Sequence, residues 1–395
     1  MRKPPPILAI ALTVFIDLLS FGLVIPDIQL RGEKLGATGT VLGLTIASFS
    51  IAQLLTAPFL GRWSDSVGRR SILLITSWLS CFAYLFYAHA SVLWIMIAAR
   101  VLGGCGAANL GVAYAYIADI STPQNRARSM GALGAAFGLG FIFGPPLGAF
   151  LVKLGNGTPI VLGYASAALC SINVLYIYFL LPESLKRGSH EGEERAPSLR
   201  NFAKALRTPG LPLLLMMFFA VNFGFSNLES TFFRLAEHQW QLDQIHSALV
   251  LGEIGMVSAI MQGGLVRIVM PRFGEVNLLR LGFICQAPSL FLIPWSNPWI
   301  PLLTVTTIMA IGGGLAQPSM ASLISRTAPA TIQGGIFGVT QSLGAVARIL
   351  GPVIGNSLFD VRHWLPCAFG AGVVAVPLLA SWTLSSPGNV LREEG

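Results

Sequence analysis

Twelve apolar runs, each near the length of a membrane crossing, leave this chain almost no way to fold in water. A span needs about 20 mostly apolar residues. The runs fall at 7–29, 40–60, 71–89, 92–117, 129–152, 159–181, 211–233, 246–266, 277–295, 299–322, 334–358 and 364–384. Charged residues make up only 11% of the 395, against about 25% in an average soluble domain. So few charges cannot cover a water-facing surface, and most of them gather in the short segments between runs. The formal net charge of +8 is therefore no sign of nucleic-acid binding. An all-α integral membrane protein follows, with the lipid bilayer as its surroundings. The basic start, Met1-Arg2-Lys3, could open a signal peptide. Asp17 interrupts the run behind it, however, and no small-x-small cleavage site follows Pro26, so a retained first helix is expected. The five cysteines lie in or at the ends of apolar runs, without Cys-x-x-Cys or Cys/His spacing. No metal site, cofactor or disulfide framework is expected from them, and no nucleophile–base constellation suggests an enzyme.

Residues 182–210 form the one long polar connection, which divides the chain into six runs (1–181) and six (211–395). Counting Lys and Arg by side sets the topology. The N-terminus, the linker and the even-to-odd connections hold 18, the opposite side holds 5, and Arg100 and Arg348 lie within runs. That bias predicts cytoplasmic termini and a cytoplasmic linker. The Asn156-Gly157-Thr158 sequon on the other side carries no weight in a bacterial inner membrane.

Between the second and third runs stands Gly61-Arg62-Trp63-Ser64-Asp65-Ser66-Val67-Gly68-Arg69-Arg70, read as a tight basic hairpin. Gly61 and Gly68 suit a sharp turn and close helix contact. Asp65, an acid among bases, is placed to pair or to cap a helix N-terminus. This spacing, G-x-x-x-D-x-x-G-R-R, resembles the loop signature of the major facilitator superfamily. The halves also repeat. Gly144-Pro145-Pro146-Leu147-Gly148 matches Gly351-Pro352-Val353-Ile354-Gly355, and Gly68 matches Gly274 at nearly the same offset. Two six-span bundles with substrate bound between them are what that resemblance implies. The second loop copy is degraded, with Pro271 in place of Asp65 and Arg267 in place of Gly61, so any latch built on Asp65 is one-sided.

Asp17, within the first run, is the leading proton-coupling candidate. An acid there costs a few kcal/mol unless it is partnered, solvated or protonated, and burial disfavours its charged form. Its D-x-x-x-x-G-x-x-x-P spacing is similar to the first span of drug/proton antiporters, tetracycline-efflux proteins among them. Arg100, in a stretch similar to the family's R-x-x-x-G motif, stays charged when buried, and the resemblance implies that it tunes Asp17 or another acid. Gly140-x-x-x-Gly144-Pro145-x-x-Gly148 resembles the antiporters' fifth-span motif, implying a helix that can bend where the halves meet. Asp119 and Arg126 close the fourth run. With Asp65, Arg69 and Arg70 they are expected to form a cytoplasmic latch, in which Asp65 meets the start of the eleventh helix near Gly334. Glu253 is read either as a second proton site or as an ion-pair partner of Arg348. Asn222, Asn227, Glu229, Gln317, Gln341 and Arg348 are the candidate cavity-lining groups.

The resemblance implies a monomeric secondary transporter that exports a small, amphipathic or drug-like molecule by alternating access, with protons as the coupling ion. Two other readings remain open: a proton- or ion-coupled importer of a sugar or other metabolite on the same fold, and a non-transporting receptor or scaffold.

Overall fold

The computed structural model describes residues 6–121, 126–185, 206–328 and 333–383. These form twelve helices: α1 (Pro6–Lys34), α2 (Gly39–Val67), α3 (Arg69–Ala88), α4 (Leu93–Ile120), α5 (Arg126–Leu154), α6 (Pro159–Leu180), α7 (Leu211–Trp240), α8 (Gln244–Ile260 continuing to Phe273), α9 (Glu275–Trp295), α10 (Ile300–Thr327), α11 (Gln333–Val361) and α12 (Leu365–Ala380). Nine are long and apolar enough to cross a membrane, and the remaining three contain shorter apolar stretches. Helices suit such a chain because they satisfy their own backbone hydrogen bonds where water is absent. Large apolar side chains such as Phe59, Trp94, Ile300 and Leu379 stand two-thirds or more exposed on the bundle's flanks. A surface like that belongs in lipid.

Most helices outrun the apolar stretches that announced them, and this corrects the reading of residues 61–70. They are not a hairpin loop. Helix α2 continues to Val67, and the turn is confined to Gly68, at φ 106°. A side chain at Gly61 would meet nothing within 4 Å, so Gly61 makes neither the turn nor a close helix contact. Gly274, the repeat counterpart of Gly68 between α8 and α9, also has positive φ (75°). The left-handed side of φ is open to glycine at no steric cost, which explains why this is the residue both copies keep.

The packing obeys the sequence repeat. In the first half, α1 packs on α5 and α6, α3 on α4 and α6, and α2 on α4. In the second half the same pattern recurs, with α7 on α11 and α12, α9 on α10 and α12, and α8 on α10. Two equivalent seams, α2 with α11 and α8 with α5, join the halves, with a smaller contact between α1 and α7. The repeated Gly-Pro motifs seat each seam helix on its own half. A Cβ at Gly144 would lie 2.7 Å from the Cα of Gly22, and one at Gly140 2.7 Å from the Cβ of Leu18, so the motif glycines face α1. In the second half a Cβ at Gly351 would come within 2.9 Å of the Asn227 backbone nitrogen on α7. Across the seams, Gly43 meets Pro352 and Gly252 meets Pro146.

Candidate functional site

Asp17 sits mid-helix on α1 and is only half-buried. Its Oδ2 accepts from the Asn109 side-chain amide at 2.7 Å, and its Oδ1 from that of Asn173 at 2.9 Å. Asn109 lies in a short 3₁₀ turn, Ala107–Asn109, that interrupts α4, and Asn173 is buried on α6. Both partners are neutral. Arg100 is not paired with Asp17. Of the two acids it was expected to tune, Asp17 or another, the second fits, because its charge acts on Glu229 of α7. The Arg100 Nη2 donates to the Ile46 carbonyl at 3.2 Å and its guanidinium lies 4.5 Å from the centre of the Phe49 ring. A pairing partner one helix away cannot be read from a linear motif.

Between the halves lies a small cavity. Arg100, Glu229 and Arg348 line it, from α4, α7 and α11. Phe21, Ile25, Ile28, Ile46 and Pro352 supply apolar wall, and Gln29, Ser50, Ser226 and Ser230 supply neutral polar groups. The structure thus joins two of the six predicted lining residues, Glu229 and Arg348, and adds Arg100. The other four stand elsewhere. Asn222 donates to the Phe218 carbonyl of its own helix. Asn227 is buried beneath Gly355 of α11, while Gln341 is exposed and Gln317 is not among the lining groups. Glu253 is not paired with Arg348. It accepts hydrogen bonds from the Thr306 and Thr307 hydroxyls of α10, at 3.0 and 2.6 Å.

Where α2 turns into α3, the buried Arg69 organises a cluster. Its guanidinium contacts Asp119 at 3.2 Å, Asp65 at 2.5 Å and the Ser64 hydroxyl at 2.5 Å. Asp65 is therefore committed to a residue four along its own chain. The role of helix cap falls to Glu183, just beyond α6, which accepts from the backbone N–H groups of Arg69 (2.9 Å) and Arg70 (3.2 Å) at the start of α3. A carboxylate suits that place because the helix N-terminus carries partial positive charge. The Arg70 guanidinium donates to the Tyr178 carbonyl. Asp119 also accepts from Ser184 at 3.2 Å. The side chains of Arg126 and of the residues around Gly334 lie outside the described residues, as does most of the 182–210 linker.

The opposite end holds a polar clamp that sequence inspection did not find. Arg234 on α7 is buried and reaches Glu33 of α1 (2.6 Å), Asp360 of α11 (2.9 Å) and Asn356 of α11 (3.0 Å), with its guanidinium over the Phe359 ring at 4.3 Å. Gln29 of α1 donates to the Glu229 carbonyl at 2.7 Å and accepts from the Phe233 N–H at 3.1 Å. The Thr40 and Ser357 hydroxyls meet at 2.7 Å. The halves are thus fastened at the end remote from the α2–α3 turn. Glu33 and Asp360 lie one residue inside their helix ends and Arg234 directly follows the apolar run 211–233, the usual places for topology charges, which masks a specific pair.

These features have counterparts among known proteins. The chain matches the Major Facilitator Superfamily over residues 10–352. It is 28% identical to Multidrug resistance protein 1 of Bacillus subtilis (strain 168) over 393 residues, covering 99% of each. It is 29% identical to the class D Tetracycline resistance protein of Salmonella ordonez over 366 residues, covering 91% of this chain and 90% of that one. The crystal structure of the human organic anion transporter MFSD10 superposes with a TM-score of 0.72 at 24% identity, covering 96% of this chain and 100% of that one, a likeness of fold. With its repeated six-helix halves, the cavity between them and relatives named for multidrug and tetracycline resistance, this membrane protein belongs to the Major Facilitator Superfamily of transporters.

Proposed function

We propose that the chain is a monomeric proton-coupled antiporter that exports a small amphipathic molecule from the cytoplasm. It would sit in the inner membrane with both termini and the 182–210 linker cytoplasmic. The observation that carries this reading is the setting of Asp17. Its carboxylate is held by two neutral amides, and among the described residues no cation lies within 4.0 Å of it. Gaining or losing a proton there changes the net charge of the first half without first breaking an ion pair, as a reversible coupling site requires. The 3₁₀ turn that presents Asn109 ties the state of Asp17 to the path of α4. Protonation from the remote side releases substrate outward, and deprotonation to the cytoplasm resets the cycle. The names of the relatives, multidrug and tetracycline resistance, support export over import.

The test uses inverted membrane vesicles with an imposed pH gradient, offered tetracycline and a set of anionic, neutral and cationic aromatic probes in turn. Gradient-dependent accumulation of a probe is expected for the native chain and is lost in Asp17→Asn, which still folds and inserts. Undiminished gradient-driven transport by that variant would overturn the assignment of Asp17, and accumulation only in right-side-out vesicles would overturn export.

A further inference from the structure

The central cavity is unbalanced in charge, and we infer that its substrate is a small organic anion, an apolar body carrying one carboxylate or sulfonate. The inference deepens the reading of this chain as a transporter, since it rests on the cavity between the halves being the substrate site. Three ionisable side chains line the cavity: Arg100, Arg348 and Glu229. Arginine remains charged when buried, so a single carboxylate leaves at least one positive charge uncompensated. Asp17 does not make up the difference, because it is not part of the lining and both its oxygens are engaged by Asn109 and Asn173. The other polar groups of the wall are neutral, and Gln29 is already committed to the backbone of α7.

Neither arginine is ion-paired at contact distance. Among the described residues no carboxylate lies within 4.0 Å of either guanidinium. Arg100 is 9% exposed, donates one hydrogen bond to a main-chain carbonyl and rests on the Phe49 ring, while its Nε is buried with no acceptor at all. A charged donor left without an acceptor in the interior is costly, and an anionic oxygen removes that cost. Arg100 belongs to the first half and Arg348 to the second, so an anion between them is shared by both. Phe21, Ile25 and Ile46 then receive its apolar part. A cationic amphiphile meets two like charges in the same space and is rejected. Glu229 is the internal competitor. Its carboxylate shares the field of both arginines, so removing its charge frees them for the ligand.

Equilibrium binding to the purified full-length protein at pH 7 tests this, with three probes on one frame: 2-naphthoate, 2-naphthamide and 2-naphthylmethylammonium. The anion is expected to bind about 10- to 100-fold more tightly than the amide, the range for a hydrogen bond to a charged group, and the cation weakest. Arg348→Gln and Arg100→Gln should each lower the anion-to-amide affinity ratio about tenfold, and Glu229→Gln should raise it. Arg348→Lys, which keeps the charge, should retain part of the preference, and it carries the test if Arg100→Gln fails to fold. Tighter binding of the cation or the amide, an unchanged ratio in Arg348→Gln, or no binding of any of the three would each overturn the inference. Asp17→Asn should keep the anion preference while losing gradient-driven transport, which separates failure of this inference from failure of proton coupling.

Discussion

Closure of the end remote from the α2–α3 turn depends on the clamp around Arg234, and its weight can be worked from the geometry. Only one of the four residues in that clamp, Glu33, belongs to the first half. At 2.6 Å the Coulomb attraction between unit charges is about 6 kcal/mol for an effective dielectric of about 20. Most of that is not recovered as net stability. Glu33 is 34% exposed, and Arg234 keeps Asp360 at 2.9 Å when Glu33 is changed. Glu33→Gln also leaves a neutral oxygen to accept from the guanidinium. The net loss of closure is therefore about 1–2 kcal/mol, above the 0.2–1 kcal/mol of an exposed pair and below the 3–5 kcal/mol for orphaning a buried charge. That shifts the closed-to-open ratio about 5- to 30-fold. Arg234→Gln should do more, because it frees two carboxylates from two halves to repel each other. Nitroxide labels at Lys34→Cys and Arg362→Cys, both exposed positions flanking the clamp, report the distance in a background with the five native cysteines replaced. The long-distance population should grow in Glu33→Gln and further in Arg234→Gln. It should stay unchanged in Arg31→Gln, whose partners Asp27 and Gly157 lie within the first half. Unchanged distances in both clamp variants would refute the claim that these charges hold the halves together.

Acid should act on the second half by itself. His363, in the turn between α11 and α12, is pushed below its ordinary value of about 6.5 by partial burial, by the His238 ring stacked at 3.9 Å and by Arg234, with Asp360 opposing. His238, Arg234 and Asp360 all belong to the second half, so the depressed histidine stabilises the folded second half fully above about pH 6.5 and loses that contribution as pH falls below it. Thermal stability should drop on going from pH 7.5 to about 5.5, less so in His363→Gln, with the inter-half distance unchanged. Gly43→Ala places a Cβ 2.5 Å from the Pro352 carbonyl and should open the α2–α11 seam at a cost of about 1–3 kcal/mol, read as the same distance shift. Gly22→Ala, whose Cβ would lie 2.9 Å from the Gly144 Cα within the first half, should instead lower thermal stability and leave the inter-half distance alone. Asp119→Asn, which removes a 5%-exposed partner of the buried Arg69 but leaves it Asp65, should cost about 1.5–3 kcal/mol in a denaturation assay, whereas Asp65→Ala, at a 46%-exposed carboxylate, should cost less than about 1 kcal/mol.

What could be read from sequence divides along a physical line. Hydropathy is local, so the twelve helices and their approximate bounds were visible. A turn that needs positive φ leaves its mark at one position, so Gly68 and Gly274 stood out. Partnerships between helices leave no such trace. Nothing near Asp17 in the chain points to Asn109 or Asn173, nothing near Glu253 to two threonines on α10, and nothing near Glu33 to Arg234. Helix continuation past the apolar stretch was also hidden, because the polar residues of α2 from Arg62 to Val67 are helical once they leave the lipid-length segment.

The repeat, visible as two Gly-Pro motifs, acquires a mechanical meaning from what it faces. In each half the motif's glycines bind the seam helix to its own bundle, α5 to α1 and α11 to α7, through backbone contact that admits no side chain. One proline of each motif faces the opposite half, Pro352 against Gly43 and Pro146 against Gly252, while Pro145 lies against Gly22 of its own half. Contacts within a half are therefore close and interlocked. The seams are as close where Gly43 and Gly252 meet a proline, but a glycine set against a proline offers little side-chain relief to prevent one bundle from tilting on the other. Rigid halves joined by smooth seams give a rocking motion, and the end at which they close is then decided by polar groups at the rims. At the remote rim Arg234, Glu33 and Asp360 favour closure. At the other, Asp65 is held by Arg69 and the α3 start is capped by Glu183 of its own half, so those acids spend their charge within one bundle. The described charges thus favour the arrangement closed at the remote end, and whatever binds the two arginines of the cavity, one from each half, acts on that same balance.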